Sequence, residues 1–470
     1  MAYSESDESI TVVNPATPID PVATFPGGTA TQADAAIEAA TRASRSWAQT
    51  TPDERDQILY AVADLIDSQQ EQLAEILTKE EGKPLSSSRG EVGRAAEIFR
   101  FFASYARTAT GKTIPSNDPE TFTYTIREPV GVAVLITPWN FPIATPSWKT
   151  AAALAAGNTV VLKPSSETPM IAKALVSLLE DAGIPDGVVN LVVGSGSTVG
   201  QALITNDEAD AVSFTGSTET GQYIAETVSQ RGAPIQTEMG GKNPQVVLPD
   251  ANIASAAAGA ISGSCGGTGQ ACTATSRLIV HTDIADELTA AVVNRAESLS
   301  IGPGMEDPDM GPAVSAEEDA SNFRYIEIAE DEGATRLTGG NRPDGFEEGY
   351  YIEPTVFSDV TPEMRIAQEE VFGPVLSIIE VEDFEAAIRA ANNTTFGLSA
   401  SIYTADMTAS RRFTREIEAG VVKVNGTTTG SQIQMPFGGM KDSSSETQKE
   451  LGQEAYKFYT HKKAIYRSDP

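Results

Sequence analysis

From Ala33 the apolar positions recur at helical spacing, through Ala36, Ile37 and Ala40 to Trp47. A second run, Pro52 to Leu77, sets Ile58, Leu59, Val62, Leu65 and Ile66 on one side, and a third, about Ser88 to Thr108, carries Phe99, Phe101, Phe102 and Tyr105. All three predict helices. Ring density of that kind is explained by core packing before ligand binding. Pro15, Pro18, Pro21 and Pro26 break any helix ahead of them, so residues 1 to 30 read as irregular. TFTYTIRE, 121 to 128, alternates polar and apolar positions and predicts an exposed strand or hairpin arm.

After residue 129 the rhythm changes. Apolar, β-rich runs at 130–136 (VGVAVLI), 159–162 (TVVL), 188–193 (VVNLVV), 211–214 (AVSF) and 244–248 (PQVVL) alternate with helix-like segments. That pattern predicts a parallel sheet with helices on both faces. A second α/β pattern follows an Ala/Gly/Ser-rich helix at 251–265, with strands at 276–280, within 368–381, at 396–404 and at 420–426. PFGGMKDS at 436–443 reads as a glycine hairpin and FYTHKKAIY at 458–466 as a terminal edge strand. The class is α/β, with two halves divided near residue 240.

In such sheets ligands sit past the carboxyl ends of the strands, so the loops there are where chemistry is sought. TPWNFP, Thr137 to Pro142, pins Trp139 and Asn140 between prolines, and an amide held that firmly can donate to an oxyanion. KPSSETP puts Lys163 and hydroxyls at a helix start, a place for phosphate or ribose. GSGSTVG, Gly194 to Gly200, has part of a dinucleotide fingerprint, with one residue too many before its last glycine. TGSTETG, Thr215 to Gly221, is a glycine turn opening a helix and suits a pyrophosphate. Glu238 in TEMGGKNP fits a solvated turn carboxylate as well as a base. Cys272 in GGTGQACTATSR has small neighbours and glycine turns that leave a sulfur open to attack a ligand, but a buried cysteine serving as a small hydrophobe fits too.

Composition narrows these alternatives. A chain of 470 residues exceeds one core and predicts two or three domains. Cys265 and Cys272, the two cysteines, are seven apart, which gives neither a disulfide framework nor a zinc spacing, so a reducing compartment is expected. His281 and His461 are the two histidines, too few for a metal cluster, and any general base is then a carboxylate. The formal charge of −32 disfavours nucleic acid and anionic membranes as partners. Such a coat suits a salt-rich cytoplasm, where cations screen it. MAYSESDESI lacks a basic start and an apolar core, and no apolar run nears the ~18 residues of a membrane span, so a cytoplasmic location is expected.

TPWNFP, KPSSETP, FTGSTETG, EMGGKNP, GQACTA, EEVFGP, KVNG and PFGGMK stand here in the order and approximate spacing of the aldehyde dehydrogenase superfamily, and the chain resembles that family from about residue 10 to 466. The resemblance implies two Rossmann-like parallel-sheet domains plus a small β oligomerisation arm. Residues 1–112 and 130–240 would bind cofactor, 241–443 would be catalytic, and 113–129 with 444–470 would form the arm of a dimer or tetramer. It implies that Cys272 attacks an aldehyde as thiolate, that the Asn140 side chain and the Cys272 N–H hold the oxyanion, and that Glu238 activates the water that releases a carboxylic acid. Lys149 resembles the lysine that supports Glu238 in a proton path, and Glu450 the far end of that path.

For the cofactor it implies Lys163 at the adenosine ribose, Gly216 and Ser217 at the pyrophosphate, and Glu370 at the nicotinamide ribose near Phe372. Thr137, Trp139 and Gly194 belong to the same cleft, and no metal is implied. NAD-preferring relatives place a glutamate three residues after the lysine; Ser166 stands there, with Glu167 next, so NADP is expected over NAD. CTATSR and the KFYT tail at 457–460 look most like the 2-oxoglutarate semialdehyde (2,5-dioxopentanoate) dehydrogenases of pentose and sugar-acid degradation. A succinate semialdehyde or broad-range enzyme is the alternative. An anionic aldehyde calls for a cation near the entrance, for which Arg94 and Arg100 are candidates. The rival of another class is a non-catalytic structural or binding protein on the same fold, which the joint presence of Cys272, Glu238 and Asn140 opposes. A CoA-acylating relative generally lacks the base found at Glu238.

Overall fold

The computed structural model describes residues 9–109, 111–445 and 447–468. Its first sheet has five parallel strands in the order Val189–Leu191, Thr159–Lys163, Val132–Ile136, Ala211–Thr215 and Ile235–Glu238. Val132–Ile136 and Thr159–Lys163 are buried at every position, which is why they read as unbroken apolar runs: helices cover both faces. Pro52–Ser68 and Leu85–Thr108 pack on each other and on Ala144–Ala155, burying Phe99 and Phe102 completely.

The second sheet has seven strands, ordered Thr335–Thr338, Thr355–Ser358, Val375–Val381, Thr275–His281, Asn243–Val247, Ser399–Tyr403 and Val421–Val424. All neighbours are parallel except the Thr335–Thr338 edge. Two Rossmann-like parallel sheets are therefore present, as expected. Among the described residues no helix is long and apolar enough to cross a membrane.

Several local expectations are corrected. PQVVL opens the centre of the second sheet, and the fifth strand of the first is Ile235–Glu238. That strand carries polar residues inward: Gln236 donates to Gln448 O at 2.8 Å and accepts from Ser213 at 2.9 Å, so its burial leaves no apolar signature. The prolines of the first 30 residues do not prevent order. Ser9–Asn14 and Thr17–Pro26 form an antiparallel hairpin, because proline is excluded from helices but tolerated on an edge strand. The long second helix is divided at Gln69 (φ −113°, ψ 18°) into Pro52–Ser68 and Gln70–Glu81. The 396–404 run is also divided, its Phe396–Gly397 end pairing with Met440–Lys441.

Thr460–Ser468 pairs antiparallel with Thr121–Pro129, and Thr113–Ile114 adds a third strand. Just before it, Leu451, Tyr456, Phe458 and Tyr459 are buried in the core of the first half, so the segment from 447 to 459 is anchored in the body before the chain leaves as a strand.

Candidate active site

Strand Val132–Ile136 delivers Thr137 to Asn140 into the space between the two sheets. The Thr137 N–H donates to Lys163 O at 3.1 Å, which ties this loop to the end of the next strand. Asn140 is buried, and its Nδ2 donates to Gln270 O at 2.9 Å, two residues before Cys272. One N–H of that amide remains for a ligand oxygen.

The Cys272 loop is shaped by backbone that few residues adopt. Gly267, Thr268 and Gly269 all lie in the left-handed region, at φ 58°, 60° and 70°. Thr268 is a β-branched residue under strain there, retained by a 3.0 Å hydrogen bond from its Oγ1 to Gly311 O. At Gly269 a Cβ would stand 2.2 Å from Gly373 O, so glycine lets the thiol loop pass against the Glu370–Pro374 loop. Asn243 Nδ2 donates to both Cys272 O and Ala274 O at 2.8 Å, clamping the loop from the far side. The sulfur is half-buried. The Cys272 N–H has no protein acceptor among the described residues, as an oxyanion donor should not.

A cavity of about 180 Å³ lies over this sulfur, lined among others by Asn140, Trp148, Glu370, Phe372 and Phe437. Trp139 and Phe372 meet edge to face in its wall at 5.3 Å between centroids. Gly216 and Ser217 line it too, at the start of the helix Thr218–Gln230. Among the described residues no side chain caps that helix, and Thr218 Oγ1 and Thr137 Oγ1 are buried without a hydrogen-bond partner, so hydroxyls stand uncommitted next to Ser217 and Pro138 of the cavity wall. Glu370 accepts from the Gly241 N–H at 2.9 Å, yet burial raises its carboxyl to about 7.

Lys163, Ser166 and Gly194 cluster farther along the first sheet: Ser166 donates to Gly194 O at 3.4 Å, and Lys163 is buried, its ammonium lowered to about 8 by desolvation. These residues fit a dinucleotide laid from the Lys163 edge to the sulfur.

Glu238 ends its strand fully buried, with Oε2 accepting from the Gly439 N–H at 3.0 Å and Oε1 from Ser444 at 3.2 Å. A Cβ at Gly438 would stand 2.2 Å from Glu238 Oε1, so glycine is what lets this backbone approach the carboxyl. Burial pushes the Glu238 carboxyl well up, and the charge of Glu450 adds to it against Lys449, the Gly439 N–H and Lys149. The Cys272 thiol is also pushed far up, by burial first and then by Glu370, Glu238 and Glu450, while the Thr273 N–H works the other way.

Lys149 and Glu450, 301 residues apart, form a buried ion pair; Lys149 also donates to Ser213 at 2.7 Å, and Thr215 donates to Glu450 Oε1 at 3.3 Å. Of the candidate arginines, Arg100 is occupied by Asp64 and Asp67 on an exposed flank, which corrects its reading as an entrance cation. Arg94 donates to Ser431 O and Oγ at 2.8 and 2.9 Å, on the segment that continues to Phe437 in the cavity wall. Sequence reasoning gave no role to Asn243, although it lies in a motif singled out, nor to Gln270, Trp148 or Phe437. Gln270 and Phe437 also lie in quoted motifs, but what these side chains touch has no local signal.

The family model described as "Aldehyde dehydrogenase family" matches residues 2–465. Among curated proteins, the alpha-ketoglutarate semialdehyde dehydrogenase of Haloferax volcanii is 50% identical over 467 residues, covering 99% of this chain and 97% of its own. The 2,5-dioxopentanoate dehydrogenase of Saccharolobus solfataricus is 44% identical over 433 residues, covering 92% and 90%. Among solved structures, the betaine aldehyde dehydrogenase of Staphylococcus aureus in complex with NAD+ superposes with a TM-score of 0.96 at 36% identity, covering 100% of this chain and 94% of that one.

Proposed function

The chain belongs to the aldehyde dehydrogenase family, and from that premise we propose that it oxidises 2-oxoglutarate semialdehyde to 2-oxoglutarate, with NADP preferred to NAD. The observation that carries the aldehyde-oxidising reading is that Cys272 and Asn140 line one cavity with Glu370, Phe372, Met239 and Gly240, the last two directly following buried Glu238. Cys272 adds to the aldehyde carbon as thiolate. The oxygen that becomes anionic is met by the free N–H of Asn140 and the Cys272 N–H, both fixed before substrate arrives. The dinucleotide, when bound, supplies the hydride acceptor that turns this adduct into a thioester, and in its oxidised form a positive charge beside a thiol surrounded by carboxylates. Glu238, its carboxyl raised towards working pH, then takes a proton from water as the water attacks the thioester. Lys149 and Glu450 pass that proton on.

Gly216, Ser217, Thr218 and Thr137 would hold the pyrophosphate and its flanks, and Glu370 the nicotinamide ribose. Ser166, in place of a carboxylate, removes a like charge and leaves room for a 2′-phosphate beside Lys163. Arg94 is the cation assigned to the substrate carboxylate. The exposed Ile114 and Tyr466, both opposite Thr123 and so on one face of the three-stranded sheet, support assembly into a dimer or tetramer through that face.

The test is kcat/KM for 2-oxoglutarate semialdehyde, succinate semialdehyde, glyceraldehyde 3-phosphate and betaine aldehyde, with each cofactor, in high potassium chloride. The highest value is expected for the first with NADP, no activity for Cys272→Ala, and a reversal of cofactor preference for Ser166→Glu. A preference for the cationic aldehyde overturns the substrate assignment, and stimulation by CoA overturns hydrolysis.

A further inference from the structure

Three buried charges that the chemistry above does not use lie directly behind the cavity. Gly82, in the left-handed region at φ 94°, ends the helix Gln70–Glu81, and Pro84 precedes the next helix, so Lys83 sits at a fixed corner between them. Its backbone N–H donates to Glu81 at 2.9 Å, and its side chain is turned inward and 5% exposed. The Lys83 ammonium donates to Glu91 Oε2 at 2.7 Å and to the carbonyl oxygen of Asn140 at 2.7 Å. It also lies 4.8 Å from the ring centroid of Phe141, another cavity-wall residue. The other oxygen of Glu91 accepts from the N–H groups of both Ile143 and Ala144 at 3.1 Å, the opening of the helix Ala144–Ala155. The backbone from 140 to 144 is thus tied to the helix Leu85–Thr108 by one lysine and one glutamate.

A buried ion pair is a poor choice for stability alone, since apolar residues of similar volume do as well or better. What charge supplies is stiffness at a chosen spot: charge-assisted hydrogen bonds are short and directional. The spot chosen is the peptide of the residue whose side chain faces the reacting oxygen, and a donor contributes to catalysis to the extent that it need not move. We infer that Lys83 and Glu91 are positioning residues for the oxyanion donor, holding the Asn140–Ala144 backbone so that the Asn140 amide is already aimed when the thiolate attacks. This role rests on the reading of Asn140 given above.

Removing Lys83 alone strands the buried Glu91 carboxylate and can cost folding, so the test uses the double replacement Lys83→Met with Glu91→Gln, which keeps an acceptor for Ile143 and Ala144 and leaves Glu81 its hydrogen bond from the backbone N–H of residue 83. It is compared with Asn140→Ala and with the triple variant, in the full chain, on the aldehyde that the unaltered protein oxidises fastest. Asn140→Ala is expected to lower kcat about 10²- to 10³-fold. The double replacement is expected to lower kcat about 10- to 100-fold, the scale of a small misplacement, with KM and the Kd for NADP within about twofold. The triple variant is expected to be no slower than Asn140→Ala, because the pair acts through that amide.

A double replacement with unchanged kcat overturns the inference. So does a triple variant whose loss is the product of the two, which marks an independent structural effect. If Asn140→Ala itself keeps full kcat, the oxyanion reading falls and the positioning role falls with it, an outcome distinct from the other two.

Discussion

Two buried lysine–glutamate pairs flank the same cavity, and they are finished differently. In Lys83–Glu91 both carboxylate oxygens are in use, one taken by the ammonium and the other by two backbone N–H groups. In Lys149–Glu450 one carboxylate oxygen carries the whole load, accepting from Lys149 and Thr215, while Glu450 Oε2 is buried with no partner among the described residues. A buried polar network that is fully satisfied specifies one geometry; one left open retains a site at which a proton can be taken or given. The first pair grips the Asn140–Ala144 backbone. The second acts through its charge on Glu238, the proposed base.

The largest way to sharpen that contrast is at the group the open pair serves. Glu238→Gln is expected to lower steady-state turnover about 10²- to 10⁴-fold, while a rapid first turnover of reduced cofactor persists, since the base is needed for hydrolysis of the thioester. Loss of that burst in stopped-flow absorbance would place Glu238 in the first half of the reaction instead. Glu450→Gln is expected to lower kcat about tenfold through the proton path. The charge of Glu450 raises both Glu238 and the Cys272 thiol, and both must lose a proton to act. Removing that charge lowers both, so the acid limb of the pH–rate profile moves to lower pH.

The neutral replacement of Lys83 and Glu91 is expected to scale the same profile down without moving it. Equal displacement of the two profiles would erase the distinction between the pairs. The smallest effect is the surface baseline. Arg100→Ala breaks exposed ion pairs with Asp64 and Asp67 and is expected to change stability by less than about 1 kcal/mol, with KM for the anionic aldehyde unchanged; thermal unfolding and initial rates check both.

The same contrast explains what the sequence could disclose. Asn140, Gly216, Ser217, Glu238 and Cys272 stand in short motifs, because turns that bring backbone against a ligand need proline and glycine at fixed offsets. The longer parallel strands were legible as apolar runs, but not the four-residue strands Thr355–Ser358, too short to show a pattern, and Ile235–Glu238, whose buried glutamine is satisfied by partners far along the chain. Lys83 and Asn140 are 57 residues apart, and Lys83 alone reads as a solvated lysine after a helix. Lys149–Glu450 was open to resemblance but not to spacing, since nothing local at Glu450 marks it as buried. Asn243 was within a motif that drew notice, yet the two carbonyls it holds lie 29 and 31 residues away.

In the proposed reaction the sulfur of Cys272 carries the acyl group between oxidation and hydrolysis. Mass spectrometry of Glu238→Gln, mixed with aldehyde and oxidised dinucleotide and quenched in acid, tests this. A mass increase of one acyl group is expected, confined to the peptide that contains Cys272 and lost on treatment with hydroxylamine. Reduced dinucleotide formed in full with no adduct on that peptide, or with the adduct elsewhere, would contradict it.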